Sequence, residues 1–156
     1  HEWLWISALQ RTFDKFLGTW QTIHQGNTIE LFFYKIIATF DETDYDTLVV
    51  KSKVLNSTGA VLFDTVGYPI DSPKLIQSLY LCPNGNFIFM FVGEGLCQAS
   101  GDIRMLPLPD SMSRTTTFST MEFEFMLTPD MKPEECATVV AEYPFPRDTT
   151  IVFTKM

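Results

Sequence analysis

The chain is poor in the groups most catalytic and metal sites are built from. It has two histidines, His1 and His24, too few for a hydrolytic triad with any credible partner, and no Gly-x-Ser-x-Gly elbow. Basic residues are also scarce. Eleven Lys and Arg against nineteen Asp and Glu leave a net charge of −8. That balance excludes nucleic acid, whose phosphates require a basic patch to release counterions. It also disfavours docking on anionic membrane and is expected to keep the chain soluble. No apolar run approaches the roughly 20 residues of a transmembrane helix. No basic flank precedes the apolar stretch Trp3–Leu9 and no small-residue cleavage site follows it, so the start does not read as a signal peptide. Because the first residue is His1 and not Met, an upstream signal is left open, and so is the compartment.

Three cysteines, Cys82, Cys97 and Cys136, are an odd number without CxxC spacing, which signals neither zinc nor a disulfide framework. Cys82 precedes the turn Pro83-Asn84-Gly85-Asn86 and Cys97 follows Gly93-Glu94-Gly95, so a strand's length, roughly 20 Å at about 3.3 Å per residue, separates them. A disulfide requires Cα atoms within about 7 Å. Cys82–Cys97 is therefore disfavoured, and Cys136 with either partner stays open. Asn56-Ser57-Thr58 is a formal N-glycosylation acceptor, a triplet common by chance.

What the chain does have is aromatic side chains, 14% of 156 residues with 14 Phe, and a length that fits one domain with a sizeable core. Residues Glu2 to Leu17 carry Ile6, Leu9, Phe13, Phe16 and Leu17 at helical spacing, and Gly18 stops that pattern. From Thr19 the period becomes two. Strands are expected at Thr19–His24, Thr28–Phe40, Thr47–Leu55, Ala60–Val66, Gln77–Leu81, Asn86–Val92, Leu96–Leu106, Thr115–Leu127 and Thr150–Lys155, with one more at Val139–Tyr143 and a short helical turn within Thr128–Ala137. Asp41–Asp46 is read as an acidic turn, and Asn56-Ser57-Thr58-Gly59 as a hairpin. Nine or ten strands at hairpin spacing, without alternating helices, exclude a parallel α/β sheet and point to a sandwich or barrel. Long strands favour the barrel, because closure removes edges that Phe-rich strands would offer to aggregation. The expected fold is a single mainly β domain over residues 1–156: an antiparallel up-and-down barrel over 19–155 behind an N-terminal amphipathic helix over 2–17.

The segment Phe13-Asp14-Lys15-Phe16-Leu17-Gly18-Thr19-Trp20 resembles the opening of the calycin superfamily, the lipocalins and fatty-acid-binding proteins. There, a short helical stretch runs into Gly-x-Trp and the Trp plugs the closed end of the barrel. The resemblance implies that role for Gly18 and Trp20, with a basic side chain from the last strand packed on the indole: Lys155 first, Arg147 second. A cation over an indole contributes about 0.5–2 kcal/mol. Thr43-Asp44-Tyr45 matches a second lipocalin motif but lies too near Trp20 for that part.

Alternation places Phe32, Tyr34, Ile36, Val50, Ser52, Phe63, Met121, Phe123 and Phe125 inside the barrel, an apolar lining with Tyr34 and Ser52 as polar handles. The expected function is carriage of a small hydrophobic molecule, with no built-in cofactor; a lipid, a retinoid-like molecule or a tetrapyrrole is the class of ligand implied. The alternatives are a filled barrel that binds a protein partner or a second copy through the doubly apolar strand Phe87–Val92, and a barrel enzyme such as a bilin lyase, whose motif residues are not visible. Glu122 and Glu124 share the face opposite Met121, Phe123 and Phe125, so this carboxylate pair points outward, as solubilising residues do. Asp41, Glu42, Asp44 and Asp46 lack the central Gly and distal Glu of a calcium loop. Copper on His1 and His24 requires a native His1. No metal site is expected.

Overall fold

The computed structural model describes residues 13–82, 86–92, 100–112, 117–127 and 144–156. Among these residues nine strands follow one another: β1 (Gly18–His24), β2 (Asn27–Phe40), β3 (Thr43–Leu55), β4 (Val61–Asp64), β5 (Ile76–Leu81), β6 (Phe87–Phe91), β7 (Gly101–Pro109), β8 (Phe118–Leu127) and β9 (Thr150–Lys155). Neighbours pair antiparallel in the order β2-β1-β9-β8-β7-β6-β5-β3, and β2 pairs β3 again, which closes an eight-stranded barrel. The short β4 adds only to the C-terminal part of β3. Closure satisfies the edge groups of strands that carry aromatic residues on the inner face.

The expected helix lies mostly outside the described residues. Its described remainder is one turn, in which Phe16 N–H donates to Phe13 O at 3.0 Å, and Leu17 already leaves it. The expected strand at Val139–Tyr143 and helical turn at Thr128–Ala137 also lie outside the described residues, as do Cys97 and Cys136. Cys82 is a free, half-buried thiol.

Two tight turns differ from the sequence reading. His24 pairs with Asn27 across a two-residue turn in which Gln25 and Gly26 have φ of 50° and 83°, the left-handed pair of a type I′ hairpin. The acidic stretch is not a six-residue loop. Only Asp41 and Glu42, at φ 50° and 60°, make the turn, and Thr43 to Asp46 continue β3 against β2. Alternating Thr43, Tyr45 and Thr47 supply the β-prone side chains that extend this ribbon.

The core is one hydrophobic cluster in which aromatic rings gather in two groups. Phe16 contacts the rings of Phe33, Phe87 and Phe89 at centroid separations of 5.5, 5.5 and 5.6 Å. Towards the other end, Phe145 meets Phe91 at 5.6 Å and Phe123 at 5.4 Å. Edge and tilted contacts of this kind add to the area the rings bury.

Candidate functional site

At one end of the barrel the chain turns in through Phe13–Phe16 and enters β1 at Gly18, whose φ of 121° only glycine adopts without strain. Two residues on, Trp20 is fully buried. Its Nε1–H donates to Phe16 O at 2.8 Å, so the indole ties the turn to the first strand. Trp20 pairs with Lys155 of β9, and the Lys155 ammonium stands 5.0 Å from the indole centroid while donating to Lys15 O at 3.3 Å. Burial lowers the Lys155 pKa, opposed by the Asp110 carboxylate. Arg147 is elsewhere: it bridges to Phe125 of β8 at the opposite end of the barrel, and Trp20 has Lys155 alone of the two.

Asp110 accepts from Ser119 Oγ at 2.5 Å and Thr117 Oγ1 at 2.6 Å, and the Ser119 hydroxyl above all, then Thr117, holds its carboxyl below the ordinary 3.8. A depressed folded value means stability that is fully present above pH 3.8 and is lost as pH falls through the folded value. Urea titrations at falling pH should therefore show an acid loss that Asp110→Asn removes. An unchanged acid limb in that variant would count against the assignment.

Inside the barrel, Val50, Ser52, Met121, Phe123 and Phe125 are all buried, and half-buried Phe63 packs on the core. The other three residues expected to line the lumen do not. On β2 the buried side chains are Ile29, Leu31 and Phe33, whereas Tyr34 is 41% exposed and Phe32 and Ile36 are half-buried on the outer face. Register is the reason. Trp20 pairs with Leu31 and Val50 with Phe33, so a buried Trp20 commits the odd-numbered residues of β2 to the inside.

Ser52 is the anomaly of this lining. It is 1% exposed, and its hydroxyl finds no hydrogen-bond partner. Its own backbone is satisfied by Thr65, whose Oγ1 accepts from Ser52 N–H at 2.9 Å. A buried hydroxyl without a partner costs about 1–3 kcal/mol.

At the end of the barrel opposite Trp20, a half-open cleft of about 300 Å3 lies between the β1–β2 turn and residues 144–147. Buried Ile29 and Phe145 supply its apolar wall, and His24, Asn27 and Arg147 its polar rim. Ile29 pairs with Val54, and Ser52 is the next inward residue along β3, a diagonal neighbour at roughly 7–8 Å. Ile29 of the cleft wall and Ser52 therefore share the inner face, while Ser52 itself does not line the cleft.

The carboxylate pair is on the outer surface. Glu122 and Glu124 both hold Arg104, at 3.3 Å each, and Arg104 also donates to Asn86 at 3.1 Å. Two carboxylates on one guanidinium form a structural clamp across β7 and β8. Arg104, flanked by Ile103 and Met105, had the alternation needed to find it. On the strand Phe87–Val92, outward Ile88 is covered, at 8% exposure, between Tyr80 and Arg104 as cross-strand neighbours, whereas outward Met90 and Val92 are exposed. Leu79, Tyr80 and Leu81 nearby are exposed as well. Among the described residues no cluster of His, Cys, Asp and Glu could hold a metal ion, and no helix is long and apolar enough to cross a membrane.

Comparison with protein-family models, curated proteins and solved structures finds no match. The closed eight-stranded antiparallel barrel is compatible with a calycin-like fold.

Proposed function

We propose that the chain is a calycin-type carrier that takes a small apolar molecule, bearing one neutral hydrogen-bonding group, into the barrel. The observation that carries this reading is the Ser52 hydroxyl, buried without a partner in an otherwise apolar lining. Polar atoms left unpaired in this way are costly to keep, and a ligand hydroxyl or carbonyl supplies the missing partner. On this reading the ligand enters by the cleft beside Ile29 and Phe145. Among the described residues no buried cation lies beside Ser52 in the lining, so a carboxylate brought to it would be buried unpaired.

The test is displacement of a fluorescent fatty-chain probe by a medium-chain alcohol, with wild type beside Ser52→Ala. The wild type should bind saturably at micromolar levels. Ser52→Ala should be at least as stable, because an unpaired hydroxyl is removed, yet bind the alcohol roughly tenfold more weakly while keeping its affinity for the equivalent haloalkane. Absence of saturable binding to either protein would sink the reading. A second reading, a filled barrel acting through its surface, is favoured by the ring packing around Phe145. It leads to concentration-dependent association with no displacement.

A further inference from the structure

The ladder between β3 and β5 that helps to close the barrel is short. These strands pair only at Val49–Gln77 and Val50–Ile76. One residue further, the pairing stops and a side chain takes its place: Ser78 Oγ accepts from Leu48 N–H at 3.0 Å and shares a 2.9 Å hydrogen bond with Thr47 Oγ1. A bulge between Ser78 and Tyr80 then turns β5 aside. Beyond this point β3 continues to Thr43 with β2 on one side and no strand partner among the described residues on the other.

The free edge can be read from the hydrogen-bond alternation. Leu48 N–H faces β5, so the N–H and C=O groups of Asp46 and Asp44, two and four residues back, face the same open side. Beside that edge stand exposed Tyr45 on β3 and Leu79, Tyr80 and Leu81 on β5, Tyr80 at 56%. Asp41, Glu42, Asp44 and Asp46 crowd the same ribbon, and the lysine on it, Lys35, is already matched by Asp14 at 3.7 Å. An edge left unpaired is a template for another strand, and its charges select which strand it takes.

We propose that the open edge of β3 at Asp44–Asp46 receives an extended segment of a partner protein in which basic and apolar residues alternate. Pairing with β3 would set one face of that segment against Asp44 and Asp46 and the other against Tyr45, since directly opposed residues share a face. Opposite charges across a sheet stabilise and like charges destabilise. This excludes a second copy of the chain, whose ribbon would place carboxylates against carboxylates at a net charge of −8 per copy.

The experiment titrates the intact protein with a labelled alternating Lys-Val peptide of about six residues, the commonest strand length, followed by fluorescence anisotropy. Two further peptides serve as comparisons: alternating Glu-Val, and the Lys-Val peptide with alternate backbone nitrogens methylated. The Lys-Val peptide should bind and slow amide exchange at Asp44 and Asp46, and neither comparison peptide should compete. Asp46→Pro removes an edge N–H that the sheet does not use, and should weaken binding at least about fivefold, the worth of one net hydrogen bond. Asp46→Asn keeps that N–H and should lose mainly the salt dependence. Binding of the methylated peptide at wild-type strength, or no binding of the Lys-Val peptide, would overturn the proposal. The methylated peptide decides the matter on the unmodified protein even where Asp46→Pro fails to fold.

Discussion

Replacing Trp20 with alanine should lower the unfolding free energy by about 3–5 kcal/mol, measured by urea denaturation at neutral pH. Three losses coincide. The fully buried indole leaves a void at the closed end, Phe16 O loses the donor that satisfied it at 2.8 Å, and the Lys155 ammonium loses the ring beneath it. These terms share partners and do not add simply. Two further variants separate them. Trp20→Phe keeps most of the volume but not the N–H, and should cost less than the alanine. Lys155→Met keeps the packed stem without the charge, and should cost no more than the 0.5–2 kcal/mol typical of a cation over a ring. A loss under about 1 kcal/mol in Trp20→Ala, typical of surface sites, would mean that Trp20 does not hold this end closed.

The packing of Lys155 on buried Trp20 was legible in the sequence because its signal is local: Gly18, a Trp two residues later, and a lysine on the last strand. The inner face was legible on β8, where Met121, Phe123 and Phe125 are all apolar, and on β3, where Ser52 is the one interruption between Val50 and Val54. On β2 the same reasoning chose the wrong face. Lys35 and Thr39 make the odd-numbered face look the more polar, but both sit on the ribbon beyond the barrel, where β2 pairs β3 alone and there is no inside to avoid. The length of the turn decides the register. With two residues in the turn at Gln25-Gly26, His24 opposes Asn27 and Trp20 opposes Leu31; this carries the face from a residue whose burial is clear to residues whose burial is not. The acidic run misled for a related reason. Four carboxylates in six residues look like a loop, yet two residues suffice to turn the chain. Nothing in the sequence marks the orphan state of Ser52 or the gap at Ser78, because both depend on which strand comes to lie beside β3.

Phe145 was equally invisible, and its removal should have the second large effect. It lies between Pro144 and Pro146, in a segment with no periodicity to read, yet it is buried at 2% exposure among the rings of Phe63, Phe91, Phe123 and Phe125 at 6.0, 5.6, 5.4 and 6.1 Å. Phe145→Ala is expected to cost about 3–5 kcal/mol in urea or thermal denaturation, at the upper part of that range if the void cannot collapse. Collapse is opposed here, since the surrounding rings hang from strands held in a closed ring of hydrogen bonds. The void would lie against the cleft that Phe145 helps to line, so the ligand reading adds a second expectation: an apolar alcohol should bind Phe145→Ala more tightly than wild type and restore part of the lost stability. That recovery grows as RT ln(1 + [L]/Kd), about 2.7 kcal/mol at a hundredfold excess over Kd. A large loss with no recovery at any alcohol concentration would make Phe145 a structural plug in a barrel that admits nothing. Recovery in Phe145→Ala that disappears when Ser52→Ala is added would place the alcohol hydroxyl at Ser52, because an apolar void alone has no means to distinguish the two backgrounds.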